Sequence, residues 1–422
     1  MIGTKRALKI GIVHPTFEIL GGAENVVFWF AESFVKRGHS VHVISAGFSL
    51  SAKQQFEKIG VSVIDIKTPF IPAYDQHRRN LWIMGLRLRP YLKQFDVINA
   101  HNFPATLWIG YAAKFEKRNL PPLIWTCHEP PRSLFPKALD LDMYQVDLKF
   151  DPNNRPFITK VPKGNRDFSN GEKAVKKRDF ELVTQMVSKV VCNSEFTAGQ
   201  VRSLYHIEPT VHYFGIPQIQ RGKTTPPVKD MQDAVLGLLF VSRVEIWKNC
   251  QGLLMAMETL KNRLDRADQQ VHLHIVGTGS FLLGMKSLAE ELDISTLVTF
   301  HGFLSDEALA GRYRKSHVLA YLPIEEPMGL VPMEAGLLGL PTLGSNSGGP
   351  AEIVLDGKTG RLADPQDPVD IADKIEWMMN HRDEVAIMGQ QARARILDFF
   401  DHRKNADRFE SLLYEMVDLP ES

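Results

Sequence analysis

Two carboxylates and two cations are spaced along this chain as a set for binding phosphates and hydroxyls would be. Glu326 and Glu334 bracket the segment Glu326-Pro-Met-Gly-Leu-Val-Pro-Met-Glu334, and Arg243 and Lys248 lie in Ser242-Arg-Val-Glu-Ile-Trp-Lys248-Asn249. A carboxylate accepts hydrogen bonds from sugar hydroxyls, while a guanidinium fork and an ammonium point charge suit a diphosphate. His128 adds a titratable ring on the loop His128-Glu-Pro-Pro-Arg132, where two prolines restrict the backbone. Gly21 and Gly22 let a backbone approach a ligand closely and expose N–H groups at a helix start. Each residue also has a plainer use. Glu334 fits a local cap or ion pair, Arg243 and Lys248 fit surface charges, and the glycine pair fits a tight turn. Residue types alone leave these readings open.

Placement on the elements decides more. Val318-Leu-Ala-Tyr-Leu-Pro323 is a short apolar run of the kind that forms a buried parallel strand. Glu326 then falls on the loop at its carboxyl end, and Glu334 in the helix Leu330 to Leu338 that stops near Gly339 and Pro341. Leu236 to Val241 precedes Arg243 and Lys248 in the same way, and Leu123 to Cys127 precedes His128. Leu8 to Val13, a loop, a helix Ala23 to Lys36 and Val41 to Ser45 form a strand–loop–helix–strand crossover unit, with Gly21-Gly22 before the helix. Further strands are read at Val61–Asp65, Phe95–Ala100 (leading into His101), Lys189–Asn193, His272–Gly277, Leu297–Gly302, Pro341–Gly344 and Gly360–Ala363. Helices are read at 367–380, 383–398 and 403–417, and Ser194 and Ser305 as N-caps. In open α/β sheets ligands bind beyond the carboxyl ends of the strands, which is where these candidates fall. The fold class is therefore α/β, with two Rossmann-like β/α/β domains facing a cleft.

The chain has 422 residues, enough for about two domains, with 23% charged and 44% hydrophobic residues. The boundaries are read as 1–217 and 218–395, with Gln218 to Asp233 as linker. Net charge is only +1, yet residues 1–200 hold 28 Lys+Arg against 18 Asp+Glu while the other 222 hold 22 against 31. That asymmetry of +10 and −9 points to different partners for the two halves, or to mutual steering. Basic and aromatic residues interleave from Leu81 to Phe95, which suits either contact with an anionic membrane or a solvated helix face. No nucleic-acid motif accompanies them, so nucleic acid is not expected as a partner. Cys127, Cys192 and Cys250 show no metal or redox spacing, which points to a cytoplasmic, reducing location. No secretory leader is read at Met1 to Lys9. Residues 133–179 lose apolar patterning and are read as an acceptor-side flap or a solvated insert. Gly277-Thr-Gly279 lacks the third glycine of a dinucleotide fingerprint, because position 282 is Leu282.

Taken together, Glu326-x7-Glu334, Arg243 with Lys248, Gly21-Gly22-Ala-Glu24, Arg37-Gly38-His39-Ser-Val41 and Ser347-Gly348-Gly349-Pro-Ala-Glu352 resemble the retaining GT-B glycosyltransferases of family 4 type. The resemblance runs from about residue 8 to 398. It implies a donor site in which Arg243 and Lys248 take the diphosphate, Glu334 the ribose and Glu326 the sugar hydroxyls. The N–H groups of Met328, Gly329 and Leu330 would lie nearby. Gly21 and Gly22 would approach the phosphates, His128 would contact the transferred sugar, and a last helix of about 396–422 would return to the first domain. The implied substrates are a GDP- or UDP-linked sugar and a glycan or lipid-linked acceptor, without metal or cofactor. Glu325 to Glu334 and Cys127 to Arg132 look most like enzymes using GDP-mannose. Met328 stands where Phe is commoner, and Phe214-Gly-Ile-Pro217 replaces a polar motif. A sugar-nucleotide epimerase and a non-catalytic binding protein of the same fold are the rival readings.

Overall fold

The computed structural model describes residues 6–67, 81–114, 120–137, 170–217, 235–264 and 270–418. The chain forms two compact units. Unit 1 runs to Phe214 and resumes at His402, and unit 2 holds Gly215–Asp401.

Unit 1 alternates strands and helices: β1 (Lys9–His14), α1 (Gly22–Lys36), β2 (Ser40–Ser45), α2 (Leu50–Lys58), β3 (Ser62–Asp65), α3 (Leu81–Leu92), β4 (Val97–His101), α4 (Ala105–Ala113), β5 (Leu123–Cys127), α5 (Asn170–Gln185), β6 (Lys189–Cys192), α6 (Glu195–Tyr205) and β7 (Thr210–Val211). The strands pair in parallel in the order β3-β2-β1-β4-β5-β6-β7. Helices cover both faces, so β4 and β5 are buried at every position, with Asn99, His101 and Thr126 as polar side chains among otherwise apolar ones. The order reverses between β1 and β4, which places the carboxyl ends of these neighbours at a topological switch point. Ser194 caps α6, its Oγ accepting the Thr197 N–H at 3.0 Å.

Unit 2 repeats the scheme with β8 (Leu236–Val241), a single 3₁₀ turn (Ile246–Lys248), α7 (Cys250–Arg263), β9 (Val271–Val276), α8 (Leu282–Glu291), β10 (Val298–Gly302), α9 (Asp306–Lys315), β11 (Val318–Tyr321), α10 (Leu330–Leu337), β12 (Thr342–Ser345), α11 (Pro350–Ile353), β13 (Gly360–Ala363), α12 (Pro368–Asn380) and α13 (Arg382–Phe399). Its sheet, also parallel, runs β10-β9-β8-β11-β12-β13, and its order reverses between β8 and β11. The last helix, α14 (His402–Val417), packs on α1 of unit 1. Phe409 meets Phe30 at 5.1 Å between ring centroids, and His39 Nε2 lies 2.7 Å from Glu410 Oε1.

The structure corrects several sequence expectations. The units divide after Phe214 and after Asp401, where 217 and about 396 were expected, and α13 belongs whole to unit 2. α5 begins at Asn170, inside the stretch read as an insert to 179. Its buried face is only Asp179, Leu182 and Val183, so basic residues mask its period. The remainder of that stretch from 138 to 169, and the linker, lie outside the described residues. α4 was not read as a helix because it is buried on nearly all sides, Ala105 to Ile109 and Ala112 included, and shows no period. α3 buries Leu81, Met84, Gly85, Leu88 and Leu92 and exposes Trp82, Leu86, Arg87 and Arg89, with Lys93 exposed just after it.

Candidate functional site

In unit 2, the loops that leave β8 and β11 at the switch point are tied to each other. Asn249, in a left-handed conformation at φ 56°, caps α7 by accepting the Gly252 N–H at 3.2 Å. Its amide also donates to Leu322 O at 3.0 Å and to Pro365 O at 2.6 Å. The Ile324 N–H donates to Trp247 O at 2.9 Å. These bonds bring Lys248 and Glu326, 78 residues apart, to 2.7 Å between Nζ and Oε2, with side chains only 14% and 16% exposed. Tyr321, the last residue of β11, lies close enough to Glu326 to feel its charge. Burial, and then the Glu326 charge, push Tyr321 well above the usual tyrosine range, so it stays a neutral donor. Glu326 is therefore held by Lys248 in partial burial, where a charge-assisted bond is strong.

Glu334 lies in α10, half-buried, with the Tyr313 hydroxyl donating to its Oε2 at 3.3 Å. Gly329 precedes α10 at φ 100°, and Pro332 occupies the first turn. Because proline has no N–H, the donors at this helix start are those of Gly329, Leu330 and Val331. Met328 beside them is buried. The Gly348-Gly349 pair backs this segment, and the Gly349 N–H donates to Glu326 O at 2.8 Å. Arg243 is exposed, and among the described residues it forms no ion pair. The Gly277–Gly279 turn is taken up structurally: the Val244 N–H donates to Thr278 O at 2.9 Å, and Glu245 accepts from the Ser280 N–H at 3.2 Å and its hydroxyl at 2.6 Å. No dinucleotide phosphate is needed to explain it.

In unit 1, β1, β4 and β5 deliver His14, His101 and His128 to the carboxyl edge. His128 is 8% exposed, and burial lowers its pKa to about 4; burial and then the neighbouring His128 and His14 hold His101 well below the usual imidazole range. Both rings are neutral at physiological pH. His101 Nδ1 lies 3.0 Å from His128 Nε2, and the Asn193 amide donates to His128 O at 3.1 Å. His14 faces Glu24 at 3.5 Å. One expectation narrows here: the Gly21 N–H is taken by Glu24 Oε2 at 2.9 Å, so it is satisfied within the helix start. The sequence reading missed Asn99, Glu24, Asn249, Tyr313 and Tyr321 as functional neighbours. Of these only Tyr321 ends a strand; Asn99 lies inside β4, Asn249 follows the 3₁₀ turn, and Glu24 and Tyr313 lie in α1 and α9, so their partners follow from tertiary packing that local sequence pattern does not carry.

Among the described residues, no group of three or more His, Cys, Asp or Glu is placed to hold a metal ion, and no helix is long and apolar enough to cross a membrane.

Two family models match in tandem: Glycosyltransferase Family 4 over residues 20–217, and Glycosyl transferases group 1 over residues 229–395. An alpha-1,3/1,6-mannosyltransferase ALG2 of Homo sapiens is 30% identical over 255 residues, which cover 56% of this chain and 60% of that protein. The match thus spans less than two thirds of that relative's length. The ALG2 of Rhizomucor pusillus is 22% identical over 462 residues, covering 98% of this chain and 93% of the relative. A D-inositol 3-phosphate glycosyltransferase of Arthrobacter sp. (strain FB24) is 29% identical over 54% of this chain and 56% of its own. Among solved structures, Anabaena HepE in complex with UDP and glucose superposes with a TM-score of 0.72 at 17% identity, covering 96% of this chain and all of HepE. Sucrose-phosphate synthase from Thermosynechococcus elongatus follows at 0.71 and 17%, covering 97% and 99%. At these identities the structural likeness speaks for the fold, two parallel-sheet α/β domains of GT-B type.

Proposed function

The chain belongs to the GT-B glycosyltransferases of the family 4 type, and from that premise we propose that it transfers a hexosyl group from a nucleotide sugar to a glycan or lipid-linked acceptor, with retention at the anomeric carbon. The observation that carries this reading is the Lys248–Glu326 bond of 2.7 Å across the β8–β11 switch point. It fixes a cation for a diphosphate beside a carboxylate for sugar hydroxyls, the two needs of a nucleotide sugar. Lys248 and Arg243 neutralise the departing diphosphate without a metal. Glu334 takes the ribose hydroxyls, and the Met328, Gly329 and Leu330 N–H groups lie against the sugar or phosphate. Gly21 and Gly22 allow close approach to the phosphates, and His128 meets the transferred sugar. The acceptor hydroxyl attacks the anomeric carbon on the face from which the diphosphate leaves. Its proton passes to the leaving phosphate oxygen, so no covalent carboxylate intermediate is needed and the protein's work is positioning and anion stabilisation.

Mannose from GDP-mannose is the donor we favour. The mannosyltransferase names of the human and Rhizomucor relatives support it, as does the likeness of the Glu325–Glu334 and Cys127–Arg132 segments. The test is thermal shift against GDP-, UDP-, ADP- and dTDP-sugars, then turnover with and without EDTA. Stabilisation by GDP-mannose, lost in Glu334→Ala, is expected, with EDTA-insensitive turnover. If no nucleotide sugar stabilises the wild type, the reading fails; if only a UDP-sugar does, the donor assignment fails; binding without turnover makes the chain a non-catalytic binder.

The exposed face of α3, with Trp82 51% and Leu86 37% exposed beside Arg87, Arg89 and Lys93, supports a further proposal. Unit 1 rests peripherally on an anionic membrane that carries the acceptor, at the cytoplasmic face. Co-sedimentation with anionic vesicles should fall severalfold in Trp82→Glu/Arg89→Glu. Equal binding to neutral vesicles would sink the idea.

A further inference from the structure

A line of four side chains in unit 1 runs from β5 through β4 and back to the His128 ring. The Thr126 hydroxyl donates to Asn99 Oδ1 at 2.8 Å, and Asn99 Nδ2 lies 3.0 Å from His101 Nε2. His101 Nδ1 in turn lies 3.0 Å from His128 Nε2. All four are buried: Thr126 at 0% exposure, Asn99 at 3%, His101 at 2% and His128 at 8%. The β4–β5 register, which sets Asn99 beside Ile124 and His101 beside Thr126, builds the line into the sheet itself.

The direction of each bond follows from the one before. With its oxygen occupied by the Thr126 hydroxyl, Asn99 turns its NH₂ towards His101, and an amide nitrogen can only donate. His101 Nε2 must accept, so a neutral His101 carries its proton on Nδ1. That proton points at His128 Nε2, which must accept in turn. The only position left for the proton of a neutral His128 is Nδ1, and among the described residues Nδ1 has no partner. Neutrality of both rings is required, and burial provides it.

We propose that Asn99 and His101 are positioning residues that hold His128 in its Nδ1–H tautomer, so that His128 meets the bound sugar as a hydrogen-bond donor and not as a base. The reading of His128 as a sugar contact rests on the proposed function; the tautomer itself does not. A donor at this position binds an oxygen of the transferred sugar and takes no proton from the acceptor, consistent with proton transfer to the leaving phosphate. It also accounts for a histidine pair this close in a buried site: one ring aims the other.

The experiment is ¹⁵N spectroscopy of the imidazoles in the full chain without substrate, with His128 assigned by the loss of its signals in His128→Gln. Wild type is expected to show His128 with a bare Nε2 and a protonated Nδ1 at neutral pH. His101→Phe removes the donor to Nε2, and the Nε2–H tautomer should then appear; kcat/KM should fall about tenfold, the loss of one hydrogen bond. A wild-type His128 protonated on Nε2 overturns the proposal, and so does a His101→Phe protein, folded by circular dichroism, whose His128 spectrum is unchanged. If the variant does not fold, the wild-type spectrum decides alone. No sugar nucleotide enters the spectroscopic measurement, so failure of the glycosyl-transfer reading would show separately, as absent donor binding.

Discussion

Lys248→Met is expected to lower kcat by roughly 10²–10³ while changing the KM for the donor by less than about fivefold. The ammonium sits 2.7 Å from Glu326 Oε2 in a partly buried pocket. In the free protein its charge is therefore already balanced by a carboxylate. A diphosphate that is still bonded to the sugar gains modestly from it. In the proposed transfer, negative charge grows on the bridging phosphate oxygen as the bond to the anomeric carbon breaks, and a fixed cation would stabilise that growing charge more than the ground state. An interaction made stronger in the transition state appears in kcat, and one made equally in both states appears in KM. Lys248→Arg should restore only part of the rate, because a planar fork does not replace a point charge that must also satisfy Glu326. Steady-state kinetics with the donor identified by thermal shift decide the matter. A Lys248→Met enzyme within threefold of wild-type kcat would remove Lys248 from the reaction. Loss confined to KM would make it a binding residue only.

How much of this was legible in the sequence differs by kind of residue. The candidates at strand ends were readable because a buried parallel strand is a short apolar run, and whatever follows it must lie at the carboxyl edge. Leu123–Cys127 and Leu236–Val241 have the bounds read from sequence, and Lys248, Glu326 and His128 follow their strands accordingly. What the residues did not contain was strand order. Nothing in the segments of β8 and β11 says that they are neighbours, yet the Lys248–Glu326 bond exists only because they are. The Thr126–Asn99–His101–His128 line was invisible for the same reason, since it needs β4 beside β5 in one register. Elements were missed where burial removes periodicity, as in α4, or where charge conceals it, as in the first half of α5. Arg243 remains the candidate for which the structure adds least: it is exposed, and its role stays a proposal.

Gly349→Ala should weaken donor binding by about 10²-fold with only moderate damage to the fold, and the reason lies in what backs the Glu326 loop. A Cβ on Gly349 would stand 2.2 Å from Met328 Cα and 2.5 Å from Pro327 O. These are backbone atoms, so no side chain can swing aside; the segment from Glu326 to Leu330 must move. Gly348 beside it, at φ 74°, would place a Cβ 2.5 Å from Glu326 O, so the pair leaves room on neither side. Overpacking of this kind costs about 1–3 kcal/mol, which for a domain of this size lowers Tm by roughly 3–10 °C. The larger effect falls on function, because the carboxylate of Glu326 and the N–H groups of Met328 to Leu330 shift together. A displacement near 1 Å at a positioned site costs about 10²-fold. Gly357→Ala is the control. That residue has φ 71° and nothing within 4 Å of a built Cβ, so the substitution brings about 1 kcal/mol of backbone strain and no collision. Both variants should therefore melt below wild type, but only Gly349→Ala should lose the thermal shift given by the donor. A Gly349→Ala protein that binds the donor as tightly as Gly357→Ala does would show that the Glu326–Leu330 segment is not the donor site.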